Sequence, residues 1–505
     1  MTNATSNTST GNNSTAARKT TAARKTTSWP VAVDETTFPD DLFRTYVIEN
    51  ISGKDGNPAT LTKEEADAVT MIDVSGYTGS PAASAEDAEG AEDASETGEG
   101  KDEEGLIASL EGIEYFADLT ELNASHNQLT ELDMSRNKRL TKLSADHNNL
   151  TKLTVIRNTQ LEWLDVSHNQ LSRLTVTHNT QLTHLDASYN RLRNLNTSRN
   201  PQLDWLEACT NRLLKLDVSH NTQLTHLGVS SNKLTELNVS NNPQLTHLDV
   251  SSNQLTELDV SHNIEIKWLT AGQNKLAELD VSHNTQLDIL DASYNQLTEL
   301  DVSHNTQLDI LDARSNQLTD IDVTRRTQLG CLDVSNNRLT ELDVSHNTEL
   351  YSLYVFKNLL TDIDVSHNPQ LTDLDVSDNK LGEVDVSHNP QLTDLNVSST
   401  WLSELDVTHN TQLDRLQACY NDLEELDLTH NTQLTYLDVY SNQLKELDVT
   451  HNTQLTFLDA SQNFLWELNT THNTQLTSLS WHADDESASQ EAAKVWDWMM
   501  THDLS

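Results

Sequence analysis

One column of this sequence carries aromatic and imidazole side chains that recur every 21 residues. Two aromatic rings from a later repeat join it, and the whole set comprises Trp163, His184, Trp205, His226, His247, Trp268, Ile289, Ile310, Tyr354 and Phe356. A line of large apolar and aromatic side chains on an exposed surface favours a partner-binding site, because Trp and Tyr contribute much of the energy of protein interfaces. The alternative is an aromatic ladder that only covers and stabilises a sheet. We predict that this set binds a partner.

A second group of columns carries acids and histidines in the other half of each repeat. Representative members are Glu236, Glu257, Glu278, Glu299, Asp259, Asp280, Asp301, Asp343, His220, His262, His283 and His304. One interpretation is a pH or calcium sensor, and the alternative, which we favour, is a solvated face copied by duplication. Like charges in neighbouring rows repel, so we expect this face to respond to salt or divalent cations. No local motif fixes ligands in tetrahedral geometry, so we predict no metal site here.

The sequence contains no nucleophile elbow, phosphate-binding loop or HExxH motif. Histidine and aspartate recur with the repeat, which argues against a unique catalytic site. We therefore predict that the protein is not an enzyme and needs no cofactor. An enzyme whose catalytic pair is assembled from neighbouring repeats is the least favoured alternative.

Leucine columns indicate the elements that must position these side chains. One column runs from Leu119 to Leu476 with a single substitution, Ile266, and a second runs from Leu129 to Leu465 without exception. Within each half repeat apolar and polar residues alternate with period 2, which is typical of a strand with one buried face. We predict a mainly β fold: a parallel β-solenoid with two short strands per 21-residue coil and small helical caps at both ends.

Asparagine follows each half repeat in two further columns. The first is broken only at Thr400 and the second only at Arg326. A side-chain amide at a turn satisfies backbone groups that the coil leaves unpaired, so we predict a structural role for these residues.

Changes in composition divide the chain into five segments. Residues 1–33 are predicted to be a disordered tail, with a basic arm for an anionic partner as the alternative. Residues 34–75 form a helical module, with Leu42, Phe43, Tyr46 and Val47 on one helical face, and end in the first half repeat. Residues 76–105 are an acidic low-complexity loop, 106–482 the solenoid, and 483–505 a capping helix.

Charge and cysteine usage exclude several classes of function. A net charge of -46 disfavours nucleic acid and anionic membrane surfaces as partners. No apolar run approaches the roughly 20 residues of a transmembrane helix. The three cysteines are Cys209, Cys331 and Cys419, which are too many rows apart for disulfides. We expect a monomer.

The pattern LxxLxLxxN in both halves of the repeat, as in LTELDVSHNTQ, resembles the leucine-rich repeat family. The 21-residue unit is most similar to the short nested bacterial subclass. The segments FPDDLFRTYVIEN and LTKEEADAVTMIDVSG resemble the N-terminal module of secreted or cell-surface bacterial members. The resemblance implies a protein-binding or adhesive scaffold outside the cell, although no signal peptide is visible.

The resemblance leaves two further expectations. A carbohydrate-binding adhesin is the second candidate, in which Trp163, Trp205 and Trp268 stack on sugar rings. The family's module often has a calcium loop, and Asp55 and Glu65 match its middle and end. Because the early acidic ligands are missing, a plain helix–turn–helix is favoured over calcium binding.

Overall fold

A computed structural model describes residues 27–79 and 105–481 of the chain. The predicted capping helix at 483–505, most of the acidic loop and the first 26 residues of the tail lie outside the described residues. The last residues of the segment predicted to be a tail include a strand, β1 (Val31–Ala32). The ordered module therefore begins before residue 34.

The N-terminal module is a small helical unit joined by a two-stranded sheet. Strand β1 pairs antiparallel with β2 (Thr60–Leu61). Helix α1 (Asp41–Asn50) begins after Asp40, whose carboxylate accepts hydrogen bonds from two backbone amides of the first turn. Helix α2 (Lys63–Asp67) is closed by a capping box. The predicted apolar face of α1 is confirmed, since its members are buried or packed against the core.

Nineteen short strands form one continuous parallel sheet along the solenoid. They are β3 (Met71–Asp73), β4 (Glu121–Asn123), β6 (Lys142–Ser144), β8 (Trp163–Asp165), β9 (His184–Asp186), β10 (Trp205–Glu207), β11 (His226–Gly228), β12 (His247–Asp249), β13 (Trp268–Thr270), β14 (Ile289–Asp291), β15 (Ile310–Asp312), β16 (Cys331–Asp333), β17 (Ser352–Tyr354), β18 (Asp373–Asp375), β19 (Asp394–Asn396), β20 (Arg415–Gln417), β21 (Tyr436–Asp438), β22 (Phe457–Asp459) and β23 (Ser478–Ser480). From β4 onward each strand pairs in register with the strand 21 residues later, so each sequence column becomes a row of neighbouring side chains. The sheet is open, with β3 and β23 at its edges.

The half repeat before the acidic loop is confirmed as the first row of the stack. Strand β3 pairs with β4 although 47 residues separate them, with Ile72 beside Leu122. The chain returns to the stack through a 3-10 turn at Ile113–Tyr115. The loop is therefore an insertion within the first coil.

The predicted parallel β-solenoid is confirmed, but in most coils the eleven-residue half does not pair as a second strand. In the eleven-residue halves only β5 (Glu131–Asp133) and β7 (Lys152–Thr154) pair as strands. The inward side chains there, such as Leu174 and Leu216 at 8 % exposure, are less buried than the fully buried Leu164 and Leu206 of the sheet. The backbone ladder therefore joins the rows mainly on the sheet side.

Both asparagine columns are confirmed as structural ladders. In the ten-residue halves Asn169 donates to the carbonyl of Ala145 in the preceding coil (2.9 Å) and accepts from the amide of Leu150 (2.8 Å). In the eleven-residue halves Asn179 donates to Val155 and Asn158. Each amide thus joins successive coils across the turns.

Candidate functional site

The predicted binding column begins each strand from β8 to β15 and points away from the core. We use the term aromatic column for six of its members: Trp163, His184, Trp205, His226, His247 and Trp268. The three tryptophans are 38 %, 39 % and 46 % exposed, and the three histidines are half-buried. Pleating places every first strand residue on the outer face, so the 21-residue register alone aligns them.

The rings of the aromatic column stack on one another. Trp163 and His184 have centroids 3.5 Å apart and planes 5° apart, and Trp205 and His226 are 3.6 Å and 2° apart. Longer contacts of 5.6–5.9 Å join these pairs and continue the stack to Trp268. The column is a single ridge spanning six coils.

Stacking determines which part of each ring a partner can reach. In the two close pairs the facing sides of the rings are covered, so these pairs present mainly ring edges to solvent, whereas the rings from His226 to Trp268 are tilted and further apart. Trp163 is the first ring of the column, and Nζ of Lys142, from the preceding coil, lies 5.8 Å from its ring centroid. A sugar that stacks on an indole needs an open ring face, and the carbohydrate alternative stays a prediction.

Burial keeps two histidines of the ridge uncharged at neutral pH. Burial lowers the pKa of His184 to about 4 and also lowers the pKa of His247. An uncharged imidazole between other rings behaves as an aromatic packing group. His184 and His247 therefore add no charge to the ridge.

His226 belongs to a polar cluster beside the ridge. Its Nε2 lies 2.5 Å from the Glu207 carboxylate, and the Cys209 thiol donates to the same carboxylate at 3.1 Å. Gly228 leaves room for that carboxylate, since a Cβ there would lie 2.0 Å from it. Burial raises the pKa of Cys209 to about 12, so the thiol stays protonated and is not poised as a nucleophile.

Eight of the ten predicted residues lie in one column of the sheet, and the other two lie outside it. Ile289 and Ile310 continue the column beyond Trp268, half-buried on β14 and β15. Tyr354 is the third residue of β17 and Phe356 lies two positions later, so both occupy other columns, with Ser352 at the head of their row. They do not extend the ridge.

Carboxylates occupy the third position of many strands and run alongside the ridge. Asp165, Asp186 and Glu207 occupy three successive coils, and Asp291, Asp312 and Asp333 occupy three more. Burial, followed by repulsion from neighbouring acids, raises the pKa of Asp186 to about 6 and that of Asp312 to about 7. Arg314 offsets part of this charge, at 3.4 Å from Asp312 and 3.3 Å from Asp333.

The acidic face of the eleven-residue halves lines a shallow groove of about 1670 Å³. The groove crosses the coils from Lys215 to Asp322. Hydrogen bonds from Ser261 to Asp259 and from Ser282 to Asp280 lower the pKa of both aspartates, which are fully ionised at neutral pH. Cation binding at this face stays a prediction.

The two calcium candidates have separate roles. Glu65 is buried, and its carboxylate accepts hydrogen bonds from the amide of Lys54 (2.7 Å) and from the amide and hydroxyl of Thr62 (2.9 Å each). Burial opposes its charge, but these bonds prevail and lower its pKa. Asp55 accepts from the amide of Asn57 within its own turn (2.8 Å). Calcium binding and the plain helix–turn–helix interpretation both stay predictions.

Sequence reasoning missed a second stack, at the turns that follow the strands. His126, His147, His168 and Tyr189 lie in successive coils with ring centroids 4.1–4.4 Å apart. Each adopts a positive φ of 49–54°. Their departure from the Ser, Thr and Gln that occupy this column in several later coils was the available clue.

Among the described residues, the longest helix spans ten residues, and none is long and apolar enough to cross a membrane. The three cysteines are free.

Comparison with known proteins identifies the repeat. A family model described as "Leucine Rich repeat" matches residues 241–256 and 367–387. The functional domain of InlJ from Listeria monocytogenes is 32% identical, with a TM-score of 0.55, over 86% of this chain and 76% of that one. YopM from Yersinia enterocolitica is 30% identical, with a TM-score of 0.59, over 72% of this chain and 83% of that one. No curated protein matches the chain.

A more distant structure shares the fold alone. The internalin InlF from Listeria monocytogenes is 21% identical, with a TM-score of 0.56, over 72% of this chain and 97% of that one.

The InlJ domain is described as including a cysteine ladder. This chain has no such ladder, because Cys209, Cys331 and Cys419 lie in coils several rows apart.

Proposed function

Because the chain belongs to the leucine-rich repeat family, we propose that it is a non-enzymatic scaffold that binds a protein partner through the aromatic column, at the cell surface or outside the cell. Structures with this fold are typically interaction scaffolds or receptors. The observation that carries the proposal is the exposed aromatic ridge across six coils. Repeat proteins present such extended surfaces on a rigid stack.

The chemistry of the surface defines the partner it fits. The ridge offers an apolar stripe of ring edges, and Asp165, Asp186 and Asp249 flank it with carboxylates. A complementary partner carries an apolar strip with Lys or Arg beside it. Carboxylates at the rim of an interface contribute mainly to orientation and association rate, so added salt should slow association more than it speeds dissociation.

The test removes the indoles and measures binding. A partner is first captured from cell-wall and host protein extracts and then titrated against the purified chain by surface plasmon resonance. The variant W163S/W205S/W268S should bind roughly 10-fold or more weakly, because buried Trp anchors are typical interface hot spots. Circular dichroism checks that the variant retains the fold.

A matched control removes tryptophans elsewhere on the surface. Trp401 and Trp466 are 43% and 79% exposed and lie outside the aromatic column. The variant W401S/W466S should bind as the unmodified chain does. Unchanged affinity of the W163S/W205S/W268S variant, with its fold intact, would reject the aromatic column as the binding site.

A further inference from the structure

We infer that His126, Asp146 and His147 form a binding site for a divalent transition-metal cation such as Zn²⁺. The site lies near the N-terminal end of the stack and is independent of the aromatic column. One ligand atom from each of the three side chains lies within 4.8 Å of the other two. Imidazole nitrogens and a carboxylate oxygen are ligands that Zn²⁺ accepts.

The distances suit a single ion. Nδ1 of His147 is 3.0 Å and Nε2 of His126 is 3.9 Å from the same Asp146 oxygen, Oδ2. Ligand atoms about 2.0–2.2 Å from a tetrahedral ion lie roughly 3.3–3.5 Å from one another, between those two values. The imidazoles stack at 4.4 Å, and their side chains are 63% and 46% exposed, so rotation about Cβ–Cγ can turn both nitrogens toward Oδ2.

The composition of the site departs from the repeat. Asp146 stands where the neighbouring coils have Ser125 and Ser167, and the two histidines stand where Ser231 and Ser252 lie further along. Histidine occupies this column in three successive coils, at His126, His147 and His168, and only the middle coil carries an acid beside it. Copying of the repeat does not explain the acid.

Neighbouring residues orient the carboxylate and anchor the turns that carry the histidines. The Ser125 hydroxyl donates to Oδ1 of Asp146, which leaves Oδ2 toward the histidines. Asn127 and Asn148, which follow the two histidines, are buried and hydrogen-bonded to the preceding coil. Residues that orient a ligand in this way commonly tune metal affinity. Three protein ligands leave a coordination position for water or for a side chain of a partner.

The ligand atoms determine which class of cation the site should bind. Two nitrogen ligands favour Zn²⁺, Cu²⁺ or Ni²⁺ over Ca²⁺ and Mg²⁺, which take oxygen ligands. The net charge of -46 raises the local concentration of cations of every kind, so the donors must supply the selectivity.

The experiment is calorimetric titration of the full chain with ZnCl₂. We expect one site tighter than any other, with a dissociation constant raised at least 10-fold in H126A/H147A and in D146N. The variant S125A should weaken binding by up to about 10-fold, as expected for a residue that orients a ligand. CaCl₂ should give no signal at this site.

The control addresses adventitious binding by other histidines. His283 and His304 lie in adjacent coils and make hydrogen-bond contacts to serine side chains. The variant H283A/H304A should retain the tight site. Equal Zn²⁺ affinity in the unmodified chain and in H126A/H147A would overturn the inference, as would loss of the tight site in H283A/H304A alone.

Discussion

Position 326 shows how much a single side chain matters within a repeat. Arg326 interrupts the second asparagine ladder, and it is fully buried with no hydrogen bond to any of its three guanidinium nitrogens. Burial lowers the pKa of Arg326. At equivalent positions Asn305 and Asn347 each donate to two backbone carbonyls.

Replacing this arginine should therefore stabilise the stack. An asparagine in R326N can donate to the carbonyls of Val302 and Asn305, following the ladder's geometry. We expect the free energy of unfolding to rise by about 1–3 kcal/mol, since a buried guanidinium without hydrogen bonds is replaced by an amide that donates two, although its Oδ1, like those of Asn305 and Asn347, has no partner. Urea denaturation measures the change, with R325N at the exposed neighbour as a control that should shift little. A lower midpoint for R326N than for the unmodified chain would contradict this assignment.

At the scale of elements, the carboxylate row beside the ridge makes the stability of the sheet depend on pH. The pKa of Asp186 is about 6 in the folded chain, mainly through burial, and the ordinary value of an aspartate is 3.8. A raised pKa means that the folded state binds the proton more tightly. The contribution to stability is therefore complete below pH 3.8 and is lost as the pH rises through 6.

The variant D186N should accordingly be more stable than the unmodified chain at pH 8, by about 1–3 kcal/mol, and nearly equal to it at pH 3.5. Thermal melts of both proteins at the two pH values measure the difference. Asp259 provides the opposite case, because its hydrogen bond from Ser261 lowers its pKa. D259N should not raise the midpoint at pH 8. A D186N advantage that is as large at pH 3.5 as at pH 8 would show that charge is not the cause.

The sequence predicts the elements of one side of the coil better than those of the other. The alternation around Leu164 and around Leu258 is the same, so both halves predict a strand. Only the ten-residue halves form a continuous parallel sheet. Strand pairing depends on how neighbouring coils stack, which the sequence of a single repeat does not reveal. Similarly, the register predicts that Trp163 and His184 are neighbours, but not that their rings stack face to face.

At the scale of the whole molecule, the repeat converts sequence columns into surfaces. The aromatic ridge, the carboxylate row and the acidic groove run along the same stack, each built from a few recurring positions of a 21-residue unit. Positions that break the period carry the local features: Arg326 in a ladder and the His126–Asp146–His147 cluster at the turns. Function in such a molecule depends on which columns vary and which stay constant.

The central claim is that the aromatic column is covered when the partner binds. Hydroxyl-radical footprinting with mass spectrometry, performed on the chain alone and in the complex, measures the oxidation rate of each tryptophan. We predict that oxidation of Trp163, Trp205 and Trp268 slows on binding while that of Trp401 and Trp466 does not change. Equal oxidation of the three column tryptophans with and without the partner would contradict the account.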